Sequence, residues 1–95
     1  MTRSDWKPDL YVVARYLETL YESERSFTRR QLQMAVRLNH DLHAKYLTFL
    51  MERDLVTFAK DDRDEDTARI TPRGRDAFHR FVGWVRDLLG SDEPQ

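Results

Sequence analysis

Between Leu38 and Ile70 the chain changes from a helical to an extended pattern with almost no connector. Asn39-His40-Asp41-Leu42-His43-Ala44-Lys45-Tyr46-Leu47-Thr48-Phe49-Leu50-Met51-Glu52-Arg53 carries its apolar residues at threes and fours, the spacing that gathers them on one side of a helix. Leu55-Val56-Thr57-Phe58-Ala59 follows at once and is β-branched and aromatic enough for a strand. Thr67-Ala68-Arg69-Ile70 suits an antiparallel partner, which leaves Lys60 to Asp66 as the hairpin tip. Neither a lone helix nor a two-stranded ribbon buries its own apolar side, so other elements must cover both.

Those elements are helices. From about Pro8, Leu10, Val13, Leu17 and Leu20 recur at helical spacing, and Tyr11, Val12, Tyr16 and Tyr21 widen the face. Ser4 or Asp5 is a candidate cap for this first helix, Asp9 suits its positive end, and residues 1–6 read as a tether. Residues 22–26 lack apolar periodicity and read as a connector. Phe27-Thr28-Arg29-Arg30-Gln31 is then a capping box, with Thr28 as N-cap, Gln31 three residues on and Phe27 as staple. It opens a short helix expected to carry Leu32, Ala35 and Val36 inward. Arg37-Leu38-Asn39 makes a tight turn with Asn39 capping the next helix. Two helices so joined form a helix-turn-helix.

Stepping about 100° per residue along the third helix places Leu42, Tyr46, Leu47, Phe49 and Leu50 on the inner side, with His43 at its edge. His40, Asp41, Ala44, Lys45 and Thr48 fall on the outer side. After the hairpin, Thr71 and Pro72 mark a helix start and Gly90 closes that last helix near Leu89. Phe78, Phe81, Val85 and Leu88, flanked by Val82, Trp84 and Leu89, give it an apolar arc wider than one small body needs. A dimer seam is the economical use of such a stripe, the alternative being a fold back onto the first helix.

The predicted fold is mostly α with a small β-hairpin, in the order helix, helix, helix, strand, strand, helix. At 95 residues it is expected to be one domain: a body over 8–71, a C-terminal dimerisation helix over 72–90, and tails at 1–6 and 91–95. The chain has no cysteine, no membrane-length apolar run and no hydrophobic secretion core near its start. It is therefore expected to be soluble and cytoplasmic.

Net charge is −1 with a sequence pI near 6.3, so the protein is not a bulk nucleic-acid coat. Charge is instead placed unevenly. Residues 28–54 hold Arg29, Arg30, Arg37, Lys45 and Arg53 against Asp41, Glu52 and Asp54. Residues 60–69 hold Lys60, Arg63 and Arg69 against Asp61, Asp62, Asp64, Glu65 and Asp66. Asp62, Asp64 and Asp66 echo the start of a calcium loop, but Thr67 and Arg73 stand where that loop needs glycine and glutamate. His40 and His43 lie three apart without an evident third ligand, so no metal or other cofactor is expected. No serine has a partnered histidine, and three glycines make no phosphate cradle, so no enzyme is expected.

Tyr46 to Val56, followed by Ile70-Thr71-Pro72-Arg73-Gly74-Arg75, resembles the leucine-rich recognition helix, turn and leucine-threonine-x-x-glycine wing exit of prokaryotic winged-helix regulators. Over residues 10–89 the chain is similar to the small archaeal winged-helix DNA-binding proteins that dimerise through a C-terminal antiparallel coiled coil. It is more loosely similar to the phenolic-acid and multiple-antibiotic-resistance regulators. Asp54 departs from the glycine usual at that helix end. The resemblance implies a winged helix-turn-helix whose third helix enters the major groove of double-stranded DNA.

On that basis the expected function is sequence-specific DNA binding by a homodimeric transcriptional regulator. Its expected DNA contacts are Arg29, Arg30, Arg37, His40, Asp41, Ala44, Lys45, Thr48 and, on the wing, Arg63 alone. Its expected dimer contacts are Phe78, Phe81, Val82, Val85, Leu88 and Leu89. The rival from another class is a winged helix used as a protein-interaction module without DNA. An effector-sensing variant would hold a small molecule between the first and last helices against Tyr16, Phe81 and Trp84, though no polar anchor marks such a ligand.

Overall fold

Four side-chain caps decide where the helices begin. The computed structural model describes residues 6–23 and 26–90, with α1 over Leu10–Glu22, α2 over Arg29–Val36, α3 over His40–Glu52 and α4 over Pro72–Leu88. Between α3 and α4 lie β1, Val56–Lys60, and β2, Asp66–Ile70. Asp9 caps α1 by accepting from the Tyr11 amide at 2.8 Å. The helix thus starts two residues after Pro8, and the alternative caps Ser4 and Asp5 lie outside the described residues. Thr28 and Gln31 form the reciprocal capping box at α2, Asn39 accepts from Leu42 at 2.8 Å, and Thr71 accepts from Gly74 at 2.9 Å. Each such cap satisfies an otherwise orphaned amide and is worth ~1 kcal/mol.

The strands pair antiparallel with Val56 opposite Ile70 and Lys60 opposite Asp66, so the ribbon reaches further toward its tip than the strand-forming residues alone indicated. Phe27 adds an isolated bridge to Ala68, whose amide donates to the Phe27 carbonyl at 2.7 Å. The residue expected as a staple thus also extends the ribbon by one short rung. At the tip, Asp61 accepts from the amides of Arg63 and Glu65, both at 2.9 Å, and Asp64 adopts a left-handed φ of 65°. These amide bonds hold the Asp61 carboxyl below its usual range. The acids of the loop therefore shape its turn, and Asp66 sits in the ladder beside Lys60, at 3.5 Å.

The core lies where α1, α2 and α3 meet the ribbon. Tyr16, Leu32, Val36, Leu50, Val56 and Thr67 are fully enclosed, and full burial of each large aliphatic side chain is worth roughly 1.5–3 kcal/mol. Ala35 is exposed instead of inward. On α3 the inner face includes His43, 4% exposed, while Phe49 and Leu42 are only half-buried. The Arg15 guanidinium donates to the Val36 carbonyl at 3.0 Å, placing a cation on the negative end of α2.

The hinge between α3 and the wing is locked to the start of α4. Asp54 turns the chain with a φ of 60°. Its carbonyl accepts from the Thr71 hydroxyl at 2.6 Å, and the Leu55 carbonyl accepts from the Thr71 amide at 3.1 Å. A methyl group on Gly74 would strike the Leu55 carbonyl oxygen and come within 2.8 Å of Ile70 Cγ1. The threonine and glycine of the wing exit are thus a cap and a close backbone approach.

The first turns of α4 rest on the body and its last turns do not. Phe78 is buried against Tyr21, which corrects its expected place in a dimer seam. Phe81, Val82 and Val85 are half-buried, with Phe81 edge-on to Tyr11 at 6.0 Å. Trp84, Leu88 and Leu89 are exposed, as are Leu10 and Tyr11 of α1. The residues named for an effector-sensing variant are not brought together: Tyr16 stacks on His43 and Tyr46 inside the core, whereas Trp84 is exposed beside Phe81, and the cavity of about 570 Å³ between α1 and α4 is lined instead by residues such as Glu18, Tyr21, Phe78 and Val82. No helix among the described residues is long and apolar enough to cross a membrane.

Candidate nucleic-acid interface

The outer face of α3 is polar because its inner face is fully used. His40, Asp41, Ala44, Lys45 and Thr48 are all exposed, as the helical period predicts. Asp41 sits in the first turn of α3, where the helix dipole favours an acid. Arg29 and Arg30 open α2 and line a groove of about 270 Å³ with Gln33, His40, His43, Ala44 and Leu47. The two basic residues of α2 are therefore brought beside the exposed start of α3.

Arg37 stands apart at the other end of α2, where it takes a left-handed φ of 62° as the C-cap. Arg63 is exposed at the wing tip and borders a polar cleft with Thr28, Gln31, Lys60, Asp61 and Arg69. This cleft adjoins the start of α2, so the wing faces the same flank as Arg29.

Several contacts at this surface escaped the sequence. The Arg29 guanidinium lies 4.4 Å from the centre of the Phe58 ring, bracing α2 against the wing. Trp6, expected in a tether, packs edge-on to Tyr46 at 5.0 Å and to Phe49 at 6.4 Å. Lys45 in turn lies 5.9 Å from the Trp6 ring. The Asp9 amide donates to the Tyr46 hydroxyl at 2.8 Å, which fastens the segment before α1 onto α3. Contacts between residues this far apart in sequence leave no local period, so only the aromatic character of Trp6 could have drawn notice.

Beneath the groove, His43 Nδ1 and the Tyr16 hydroxyl share a hydrogen bond of 2.7 Å, and the buried His43 Nε2 has no hydrogen-bond partner among the described residues. Burial drives the His43 pKa below the usual histidine range. The Arg29 main-chain carbonyl opposes that shift, and the nearby charges of Arg29 and His40 reinforce it. The ring is therefore a neutral strut below a basic surface.

No protein-family profile matches the sequence, and no curated protein matches it by sequence. Solved structures do match. The PcaV transcriptional regulator of Streptomyces coelicolor superposes with a TM-score of 0.71 at 20% identity, over 84% of this chain and 60% of that one. S. aureus MepR in a DNA complex gives 0.71 at 15% identity, over 85% and 68%. The transcriptional regulator BldR of Sulfolobus solfataricus gives 0.70 at 20% identity, over 90% and 63%. This chain spans about three-fifths of the length of PcaV and BldR. The likeness establishes the winged-helix fold, with the helix-turn-helix and hairpin in the expected order.

Proposed function

We propose that this chain is a homodimeric winged-helix regulator that binds double-stranded DNA sequence-specifically, with α3 in the major groove. The observation that carries this reading is the exposed face of α3 set beside Arg29 and Arg30 at the start of α2. A helix of this width fits the major groove, and amides and arginines at the start of a neighbouring helix suit backbone phosphate. Lys45, Thr48 and His40 are the base- or phosphate-reading groups, and Asp41 suits a cytosine amino group. A fold shared with a regulator captured on DNA supports the same use of this surface. Arg37 and Arg63 act at the margins of the contact.

The second copy is inferred from the exposed apolar end of α4. Phe81, Val82, Val85, Leu88 and Leu89 form the seam, with Leu10 and Tyr11 of α1 beside them. A two-fold dimer presents two reading helices to half-sites one or two turns apart.

The test is titration of duplex DNA at several salt concentrations with the wild type and with Arg29→Ala/Arg30→Ala/Lys45→Ala. Loss of three phosphate-proximal cations is expected to lower affinity at least 10-fold and flatten the salt slope by about 2–3 units. Equal binding by the variant would refute this face. The five acids on the wing favour a second reading, a protein-binding winged helix without DNA; salt-insensitive capture of a protein partner with no duplex affinity would establish it.

A further inference from the structure

A groove of about 530 Å³ runs along the outer side of α3, lined by Trp6, Ala44, Lys45, Thr48, Phe49 and Glu52, with Pro8 and Arg53 at its margins. Three of those residues, Ala44, Lys45 and Thr48, belong to the reading face. Trp6 and Phe49 supply an aromatic wall, with Trp6 wedged edge-on against Tyr46 and Phe49. The wall is anchored: Tyr46 is 4% exposed and holds the Asp9 amide through its hydroxyl. Lys45 lies over this wall, its ammonium 5.9 Å from the indole centre, and Arg53 covers the Phe49 ring at 4.9 Å.

We propose that Trp6 is part of the DNA-reading surface, where it aims Lys45 and forms with Ala44 and Thr48 an apolar notch that seats a thymine methyl group. The proposal rests on the reading of α3 as the groove-entering helix and adds a specificity determinant to it. A lysine has four rotatable bonds and reads poorly unless its direction is restrained, and an aromatic face restrains it. Alanine and the threonine methyl are the side chains that meet the thymine C5-methyl in the major groove. Trp6 closes the notch they leave open, and the apolar walls of that notch fit a methyl group rather than a phosphate.

The experiment selects a tight duplex from a random library with the wild-type protein. Each thymine in it is then replaced singly by deoxyuridine, which removes only the methyl group. At one or two positions this change is expected to weaken wild-type binding about 5- to 10-fold, the scale of one methyl group in an apolar pocket. Trp6→Ala is expected to bind more weakly and to lose that discrimination. Lys45→Ala is expected to cost less in the Trp6→Ala background than in the wild type. Trp6→Leu, which keeps apolar burial against Tyr46 but has no ring face, carries the same coupling test should Trp6→Ala unfold. Weaker binding by the Trp6 variants with unchanged thymine preference and additive effects with Lys45→Ala would overturn the proposal and leave Trp6 a structural wedge. Failure of the wild type to select any duplex would overturn the reading of α3, and this proposal with it.

Discussion

The Tyr16 hydroxyl lies 2.7 Å from His43 Nδ1, joining α1 to α3 inside the core. Burial raises the Tyr16 pKa far above the physiological range, so the hydroxyl keeps its proton and the pair is joined by a neutral hydrogen bond. Protonating His43 would place a charge in a buried site already next to Arg29.

Stability is accordingly expected to fall in mild acid. The folded-state pKa of His43 lies below its unfolded value near 6.5, so below that pH the unfolded chain binds a proton that the folded chain refuses. The contribution is complete above pH 6.5 and is lost as pH falls toward the folded pKa, at up to ~1.4 kcal/mol per pH unit. Urea unfolding between pH 7.5 and 5 measures this slope, and His43→Gln is expected to reduce it. Tyr16→Phe leaves the buried His43 Nδ1 without its partner and should cost ~1–3 kcal/mol at neutral pH.

The clamp between the hinge and α4 makes a second prediction. Thr71→Val removes both the cap on Gly74 and the donor to the Asp54 carbonyl, and should destabilise by ~1–2 kcal/mol. Gly74→Ala forces a methyl group onto the Leu55 carbonyl and should cost ~1–3 kcal/mol or more. Denaturant midpoints with unchanged slopes would show that both act on the folded state.

Asp54 offers a change of opposite sign. Its left-handed φ of 60° costs a non-glycine residue ~1–2 kcal/mol, against ~0.5–1 kcal/mol for the greater freedom of glycine in the unfolded chain. Asp54→Gly is therefore expected to raise stability by ~0.5 kcal/mol. A rise in thermal midpoint with unaltered duplex affinity checks it.

What the sequence made legible here is local. Thr28 with Gln31, Asn39 and Thr71 announce helix starts because a cap involves residues two or three apart. The position of Asp54 stood out because a glycine is expected at such a helix end, and the backbone does turn left-handed there. Long-range choices were hidden. His43 entered the core because α1, from 27 residues away, offers a hydroxyl that satisfies its ring. The buried arc of α3 thus takes in His43, while Phe49 is only half-buried. Phe78 showed the same period as its seam neighbours, and only the approach of Tyr21 separates it from them. The outer face of α3 followed from the period alone, whereas Trp6 beside it did not.

The exposed end of α4 predicts association. Trp84→Asp/Leu88→Asp places two charges on the apolar surface without touching Phe78 or the core. Sedimentation is expected to give twice the chain mass for the wild type and one chain for the variant, with helicity unchanged. Wild-type protein sedimenting as one chain at high micromolar concentration would remove the seam.

DNA contact through the outer face of α3 underlies the proposed function, and amide chemical-shift mapping of labelled protein on addition of duplex reads it residue by residue. The largest shifts are expected at Arg29, Arg30, His40, Ala44, Lys45 and Thr48, with small changes at Arg63 and none at Asp76 or Arg80. Shifts absent from α3, or confined to the wing and α4 while duplex is bound, would contradict it.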